Sequence, residues 1–225
     1  MSPSLSFVIP VLNEGARIGG QLDYLREAYP RAELIVVDGG SEDDSVAEAM
    51  PRCDGLLLST PGRARQMNIG AAAAAGDYLF FLHADTRPAV SGEELDRSLE
   101  DSPPWGFSRV RLSGSGPALR LVEWGMNRRS AWTRVATGDQ MLYLRRDLFR
   151  ATGGFADIPL MEDVEYCKRL RRVAPPRILS HPVTTSSRRW EERGVARTVL
   201  GMWGLRLAYV SGVSPARLHR RYYGQ

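Results

Sequence analysis

Through its first half the chain alternates short apolar runs with stretches whose apolar residues recur every third or fourth position. That alternation predicts strands and helices taking turns. Residues 5–10, Leu-Ser-Phe-Val-Ile-Pro, read as a buried strand, and Ile18, Leu22 and Leu25 place a helix over 18–29. A second strand covers 33–38 and ends in Gly39-Gly40. Ser41 and Asp44 then read as a capping box opening a short helix that ends near Met50. A third strand is expected at 55–59, and a strong helix former at 64–75 is stopped by Gly76. Residues 78–82 form the least ambiguous strand, with His83-Ala84-Asp85 at its carboxyl end.

The second half is less regular. Helices are expected over 93–99, 117–129 and 162–173, and strands over 107–112, 140–144 and 178–183, before a largely helical end. There is no internal repeat and no long linker. The pattern is that of a single α/β domain: a mostly parallel central sheet flanked by helices, with a helical C-terminal tail. Ligands of open α/β sheets gather at the carboxyl ends of the strands, so Asp38 and Asp85, both closing strands, should face one crevice.

Composition adds bounds rather than direction. The 225 residues are enough for one domain with a real core, and 43% hydrophobic with 25% charged residues excludes a disordered chain. Cys53 and Cys167 form no CxxC pair, which argues against a disulfide framework or a zinc site and suits a reducing cytoplasm. The first apolar run has no basic leader, so no secretory signal is expected. The best candidate span, 195–213, is interrupted by Arg197 and Arg206. The net charge of +4 is unevenly placed: from Arg188 onward eight arginines face only Glu191 and Glu192. This basic tail reads either as a surface for phosphates or an anionic membrane, or as a solvated helix face.

Chemistry enters with the acids. Asp38, Asp85, Asp139 and the pair Glu162-Asp163 stand at loops or helix starts, where each alone is explained by turn-making, capping or the helix dipole. Arg63 and Arg65 open a helix after Pro61-Gly62, where guanidinium groups and the helix N-terminus could reach a diphosphate, or simply face solvent.

The order of the motifs changes that balance. Pro10-Val-Leu-Asn-Glu14, Asp38-Gly-Gly-Ser41, Gly62-Arg-Ala-Arg-Gln-Met-Asn-Ile-Gly70, Phe81-Leu-His-Ala-Asp85 and Met161-Glu-Asp163 follow one another, with Gly153-Gly154-Phe155 and Ser187-Arg-Arg-Trp190 alongside. Together they resemble the family-2 glycosyltransferases of GT-A fold, from residue 5 to about residue 190. Two segments further resemble a small bacterial subgroup catalogued as arsenosugar-biosynthesis-type transferases.

The resemblance implies inverting, non-processive transfer of a sugar, of the hexosyltransferase type, from a UDP-sugar to an acceptor hydroxyl. It divides the chain into a nucleotide-binding part (about 1–90), an acceptor part (about 91–190) and a packed helical extension, 191–225. Asp38 would accept the N3–H of uracil, with Pro10, Leu12, Glu14, Gly39, Arg63, Arg65 and Ala84 completing the donor site. Asp85 would hold Mg²⁺ or Mn²⁺ against the departing diphosphate, although one carboxylate stands where the usual motif has two. His83 is not assigned as a ligand, and His181 is a further candidate ligand. Asp163 would be the base, Glu162 its positioning partner or an acceptor contact, and Asp139, Arg188, Arg189 and Trp190 would face the acceptor or its phosphate. Ser186 occupies the place of the glutamine found in processive members, which argues for single transfer.

A nucleotidyltransferase is the nearest rival, but Lys168 is the only lysine and no glycine-rich phosphate loop precedes it. A dinucleotide oxidoreductase lacks its GxGxxG, and a non-enzymatic basic module leaves the ordered acids unexplained. No nucleic acid partner is expected. Peripheral contact with an anionic membrane and a homo-oligomer both stay open, with a cytoplasmic location, at the inner face of the membrane in the first case.

Overall fold

The computed structural model describes residues 3–224. In chain order the elements are β1 (Leu5–Val11), α1 (Gly15–Ala28), β2 (Glu33–Asp38), α2 (Ser45–Ala49), β3 (Gly55–Leu58), α3 (Arg63–Ala73), β4 (Tyr78–Phe81), β5 (Thr86–Pro88) and α4 (Gly92–Leu99). There follow β6 (Trp105–Leu112), α5 (Pro117–Thr133), a 3₁₀ turn (Gly138–Gln140), β7 (Leu142–Arg145) and α6 (Arg146–Thr152). The chain closes with α7 (Glu162–Val173), β8 (Arg177–Thr185), α8 (Arg188–Arg193), α9 (Val195–Val210) and α10 (Pro215–Tyr223).

One eight-stranded sheet runs in the order β3-β2-β1-β4-β7-β6-β8-β5. The pairs β2–β3, β1–β2, β1–β4 and β6–β8 are parallel, and β4–β7, β6–β7 and β5–β8 antiparallel. The expected mostly parallel sheet with flanking helices is therefore present.

The period-two geometry of a strand explains why the first half reads as unbroken apolar runs. Phe7 and Ile9 of β1, with Leu34 and Val36 of β2, face α1 through Ile18, Leu22 and Leu25. Val8, Ile35 and Val37 point the other way, onto Ala64, Met67 and Ala71 of α3. Strands covered on both faces have no position to spare for polar residues. Helix α3 approaches closely because Gly70 has no side chain: a Cβ there would lie 2.4 Å from Val8 Cγ1. A third cluster joins Val110, Leu112, Leu119, Met126 and Trp190, and α9 packs onto it through Val195, Val199 and Met202.

Several local expectations are corrected. Ser41 and Asp44 build no capping box; the Ser41 hydroxyl instead bonds Asp38 and accepts the Asn13 N–H at 2.8 Å. Helix α3 ends at Ala73, not at Gly76, whose N–H is held by Ser6 Oγ at 2.8 Å. Gln140 belongs to the 3₁₀ turn, so β7 starts two residues later. Strand β5 and helix α6 had no sequence signal of their own: three residues containing a proline, and one seven-residue helix, are too short for a periodicity to show.

Candidate active site

Because β1, β2 and β4 lie side by side and run parallel, their carboxyl ends open on one edge. Three loops meet there: Leu12 to Glu14, Asp38 to Ser41, and His83 to Asp85. A buried residue ties the first two together. The Gln66 amide, 4% exposed, donates from Nε2 to the carbonyls of Val11 and Val37, at 2.8 Å each. Two positions further on, the Asn68 side chain both donates to and accepts from the backbone of Phe155, at 2.8 and 2.9 Å. The Gly-Arg-Ala-Arg-Gln-Met-Asn segment is thus a clamp, holding the loops after β1 and β2 with one residue and the glycine loop before α7 with another.

Asp38 is buried and organises its own loop. Oδ2 accepts the N–H groups of Gly40 and Ser41 at 2.8 and 2.9 Å, and Oδ1 accepts the Ser41 hydroxyl. The Gly39 N–H bonds Val11 O at 2.8 Å. Of the other donor-side residues, Pro10 is half-buried, Leu12 is exposed and Ala84 is buried. Glu14 pairs with Arg17 at 2.8 Å. Asp85 is half-buried and, among the described residues, accepts a long 3.3 Å bond from the Thr86 hydroxyl.

Deeper along the same edge lies a cavity of ≈ 20 Å³, room for about one water, lined among others by Arg63, His83, Gly138, Glu162 and Asp163. Asp163, in the first turn of α7, is held by the Gly138 N–H at 2.7 Å from Oδ2. The same 3₁₀ turn places Asp139 Oδ1 3.7 Å from His83 Nδ1, so His83 faces the turn rather than the sheet core. Arg63 Nη1 stands 3.9 Å from Glu162. Burial pushes the Glu162 carboxyl above its ordinary range, and the neighbouring Asp163 charge adds to this, against the opposing pull of Arg63. Cys167, buried beside them, has its thiol pushed up to about 12, chiefly by burial.

The structure thus brings Arg63, His83, Asp139, Glu162 and Asp163 together, although they are far apart in sequence. It does not bring every candidate. Arg65 reaches Asp157 at 2.9 Å and Thr60 Oγ1 at 2.9 Å, which ties the loop before α3 to the one before α7, and it is not among the residues gathered around Asp163. His181 stands at an irregularity of β8, with Nε2 3.6 Å from Glu94 on α4, and lines a separate hollow with it; it is not part of an Asp85 metal set. Trp190 is 7% exposed in the third cluster and offers no face to an acceptor. The resemblance has it facing the acceptor, whereas the apolar partners on β6 and α5 hold it in the core. Arg188 is exposed, 3.8 Å from Glu192, while the Arg189 side chain lies outside the described residues. The sequence reading missed Gly138 and Gln140, whose parts depend on a short turn that no periodicity announces.

Among the described residues no group of three or more His, Cys, Asp or Glu is arranged to hold a metal. Magnesium-type ions are commonly bound by one or two carboxylates plus substrate phosphates. A half-buried Asp85 at a strand end, held by a single long hydrogen bond among the described residues, fits that shared arrangement.

Comparison with known proteins bears on this geometry. Residues 6–91 match the family model of Glycosyl transferase family 2, which covers β1 through β5 and every donor-side candidate. An uncharacterised glycosyltransferase of Mycobacterium tuberculosis is 32% identical over 157 residues, 65% of this chain and 60% of the relative. One of Haemophilus influenzae is 33% identical over 105 residues, 43% and 41% of the two chains. The chain therefore spans no more than about three-fifths of the curated relatives it matches.

Among solved structures, the mannosyltransferase of Pyrobaculum calidifontis in complex with GDP-Man and Mn²⁺ superposes with a TM-score of 0.62 at 21% identity, over 83% of this chain and 57% of that one. The glucosyl-3-phosphoglycerate synthase of Mycobacterium tuberculosis in complex with Mg²⁺ and UDP gives 0.59 at 20% identity, over 82% and 70%. The fold is the GT-A fold of these glycosyltransferases.

Proposed function

We propose that the chain is a family-2 glycosyltransferase that moves a sugar from a UDP-sugar to an acceptor hydroxyl, once per encounter and with inversion. The observation that carries the reading is the meeting of two halves at one edge: a family-2 domain with Asp38 and Asp85 at its strand ends, and a carboxylate, Asp163, held above it by Gly138. Neighbours of the same fold are described with UDP or GDP-Man and with Mg²⁺ or Mn²⁺, which supports a nucleotide-sugar donor and a divalent cation. Placement within the arsenosugar-type subgroup rests on the α3 and Ser187–Trp190 segments alone.

The nucleotide base would lie over the Leu12 and Asp38 loops. Three of the roughly four acceptor positions of the Asp38 carboxylate serve its own loop, which leaves one for the uracil N–H. Arg63 stands where it can meet the diphosphate. Asp85, with phosphate oxygens, would hold the cation, which supplies charge neutralisation to the leaving nucleoside diphosphate. Asp163 would take the proton of the attacking hydroxyl as its oxygen approaches the anomeric carbon. A single base on the face opposite the leaving group gives inversion with no covalent intermediate.

Calorimetric titration with UDP, GDP and ADP in the presence of Mn²⁺ tests the donor side. UDP should bind tightest, and Asp38→Ala should erase its advantage over the other two. Equal affinity for all three nucleotides would overturn the base assignment.

The exposed apolar residues of α5 and α9 support a peripheral seat on an anionic bilayer. No helix among the described residues is long and apolar enough to cross one.

A further inference from the structure

Two positive charges stand behind the acceptor side of the site, and among the described residues no carboxylate lies within hydrogen-bond or ion-pair reach of either, although Asp163 acts on both at longer range. Arg129 comes from α5 and Arg206 from α9, two helices that touch. Arg129 Nε and Arg206 Nη2 are shielded from solvent and have no hydrogen-bond partner. Arg129 Nη2 reaches only neutral acceptors, Ser130 Oγ at 2.8 Å and Gln140 Oε1 at 3.5 Å. Among the described residues neither guanidinium forms an ion pair. Burial, reinforced by the Arg206 charge, lowers the Arg129 guanidinium to about 10 against the opposing pull of Asp163 and Asp139, and burial lowers Arg206 as well, again against the pull of Asp163.

Both arginines are half-buried, and shielding part of a guanidinium with no carboxylate in hydrogen-bond reach is costly. Two beside each other are harder still to explain by packing, since an apolar side chain of similar volume would serve a core better. Their position supplies the reason. Gln140, the neighbour of Arg129, shares its 3₁₀ turn with Gly138, whose N–H holds Asp163. The hydroxyl of Ser130 also reaches Gln140, at 2.6 Å, which fixes Arg129 to that turn. An anion bridging the two guanidinium groups would lie beside the 3₁₀ turn that holds the base.

We propose that Arg129 and Arg206 form an oxyanion subsite that takes a phosphate group of the acceptor. Two planar guanidinium forks suit a phosphate dianion in both geometry and charge. The word "acceptor" rests on the transferase reading; the anion site itself does not. Either a free phosphate monoester or the phosphate of a lipid headgroup could supply the group.

The test is titration of wild-type protein, saturated with UDP so that the donor's own phosphate position is filled, with inorganic phosphate and with glycerol phosphate. Binding is followed by calorimetry and melting temperature, with chloride at matched ionic strength as the control. Phosphate should bind and raise the melting temperature. Arg129→Met and Arg206→Met should each weaken it about tenfold or more, the usual weight of a charge-assisted hydrogen bond, while UDP affinity stays within about twofold. Without phosphate, Arg206→Met should melt no lower than wild type, because it removes a half-buried cation whose shielded Nη2 has no hydrogen-bond partner. Arg129→Lys and Arg206→Lys, which preserve charge, should retain part of the binding and serve if a methionine variant fails to fold.

A second arm compares phosphatidylcholine vesicles containing phosphatidic acid with vesicles containing phosphatidylserine at equal charge. An Arg206-dependent preference for phosphatidic acid, with little response to glycerol phosphate, assigns the group to a lipid; the reverse assigns it to a free monoester. Absence of any phosphate-specific response in either arm, or equal binding by wild type and all four variants, would overturn the subsite. Failure of UDP to bind while phosphate binding still depends on both arginines would instead overturn the transferase reading and leave the subsite standing.

Discussion

At Asp163 one oxygen is already committed to the Gly138 amide, and that single bond shapes what the carboxylate can do. An asparagine there can still accept the same N–H, so Asp163→Asn should keep the fold and the donor affinity. It has no charge with which to take a proton, and turnover should fall by roughly 10²–10⁴. A near wild-type rate in a sugar-transfer assay would remove Asp163 from the chemistry. Its neighbour behaves differently because it is buried. A carboxyl whose folded-state pKa is raised binds its proton more tightly in the native than in the unfolded chain, so its ionisation costs stability as pH climbs above the ordinary carboxylate range. Glu162→Gln should accordingly raise the melting temperature at neutral pH. That gain should shrink on acidification toward about pH 4, near the ordinary Glu value. A gain that grew toward acid pH would reverse the sign and refute the burial argument.

At the scale of elements, α3 shows why motifs and functions do not map one to one. Its segment resembles a family signature and contains two arginines suited to phosphate, yet the residues that fix the site are Gln66 and Asn68. Gln66→Ala would leave one lone pair each of Val11 O and Val37 O without a donor in a region closed to water. Unfolding in urea should show a loss of about 2–4 kcal/mol, two buried hydrogen bonds at ordinary mutational weight. A loss below about 1 kcal/mol would mean that the strand ends hold themselves.

The strands and longer helices were legible because burial on both faces, or on one, imposes periods of two or 3.6 residues on apolar positions. Asp38, Asp85 and Glu162-Asp163 were legible because they close strands or open a helix. The 3₁₀ turn, the loop tether at Arg65 and the retreat of Trp190 into the core were not. Each depends on which distant residue packs against it, and a chain read in one dimension does not contain that neighbour. Arg129 and Arg206 were hidden for the same reason, since an arginine on a helix reads as solvated until a second helix covers it.

For the whole molecule, the C-terminal helices decide how the site meets its surroundings. Helix α9 buries Thr198 and Leu205 and packs Val199 and Met202 onto the third cluster, which accounts for part of its apolar character. The rest stays outside: Leu200, Trp203, Leu207 and Val210 are each at least 70% exposed, a stripe at helical spacing. Helix α5, which α9 touches, adds Leu121, Trp124 and Trp132, with Trp132 89% exposed. Arg128 lies over Trp124, 5.5 Å from the ring centroid, and Arg197, Arg217, Arg220 and Arg221 are exposed nearby in sequence. Tryptophans and leucines beside exposed arginines would suit a surface that rests in a headgroup layer, which is the proposal that vesicle binding tests. A helix packed wholly on its own domain does not describe α9.

Sedimentation with vesicles should therefore show binding that requires anionic lipid and weakens as salt rises, each arginine contributing about 1 kcal/mol near such a surface. Trp203→Ser together with Leu207→Ser should abolish that binding while leaving UDP affinity unchanged, because neither residue borders the candidate site. Binding equally strong to neutral vesicles would mean that the arginines do not contribute. Absence of binding at low salt would leave the stripe to a second protein surface.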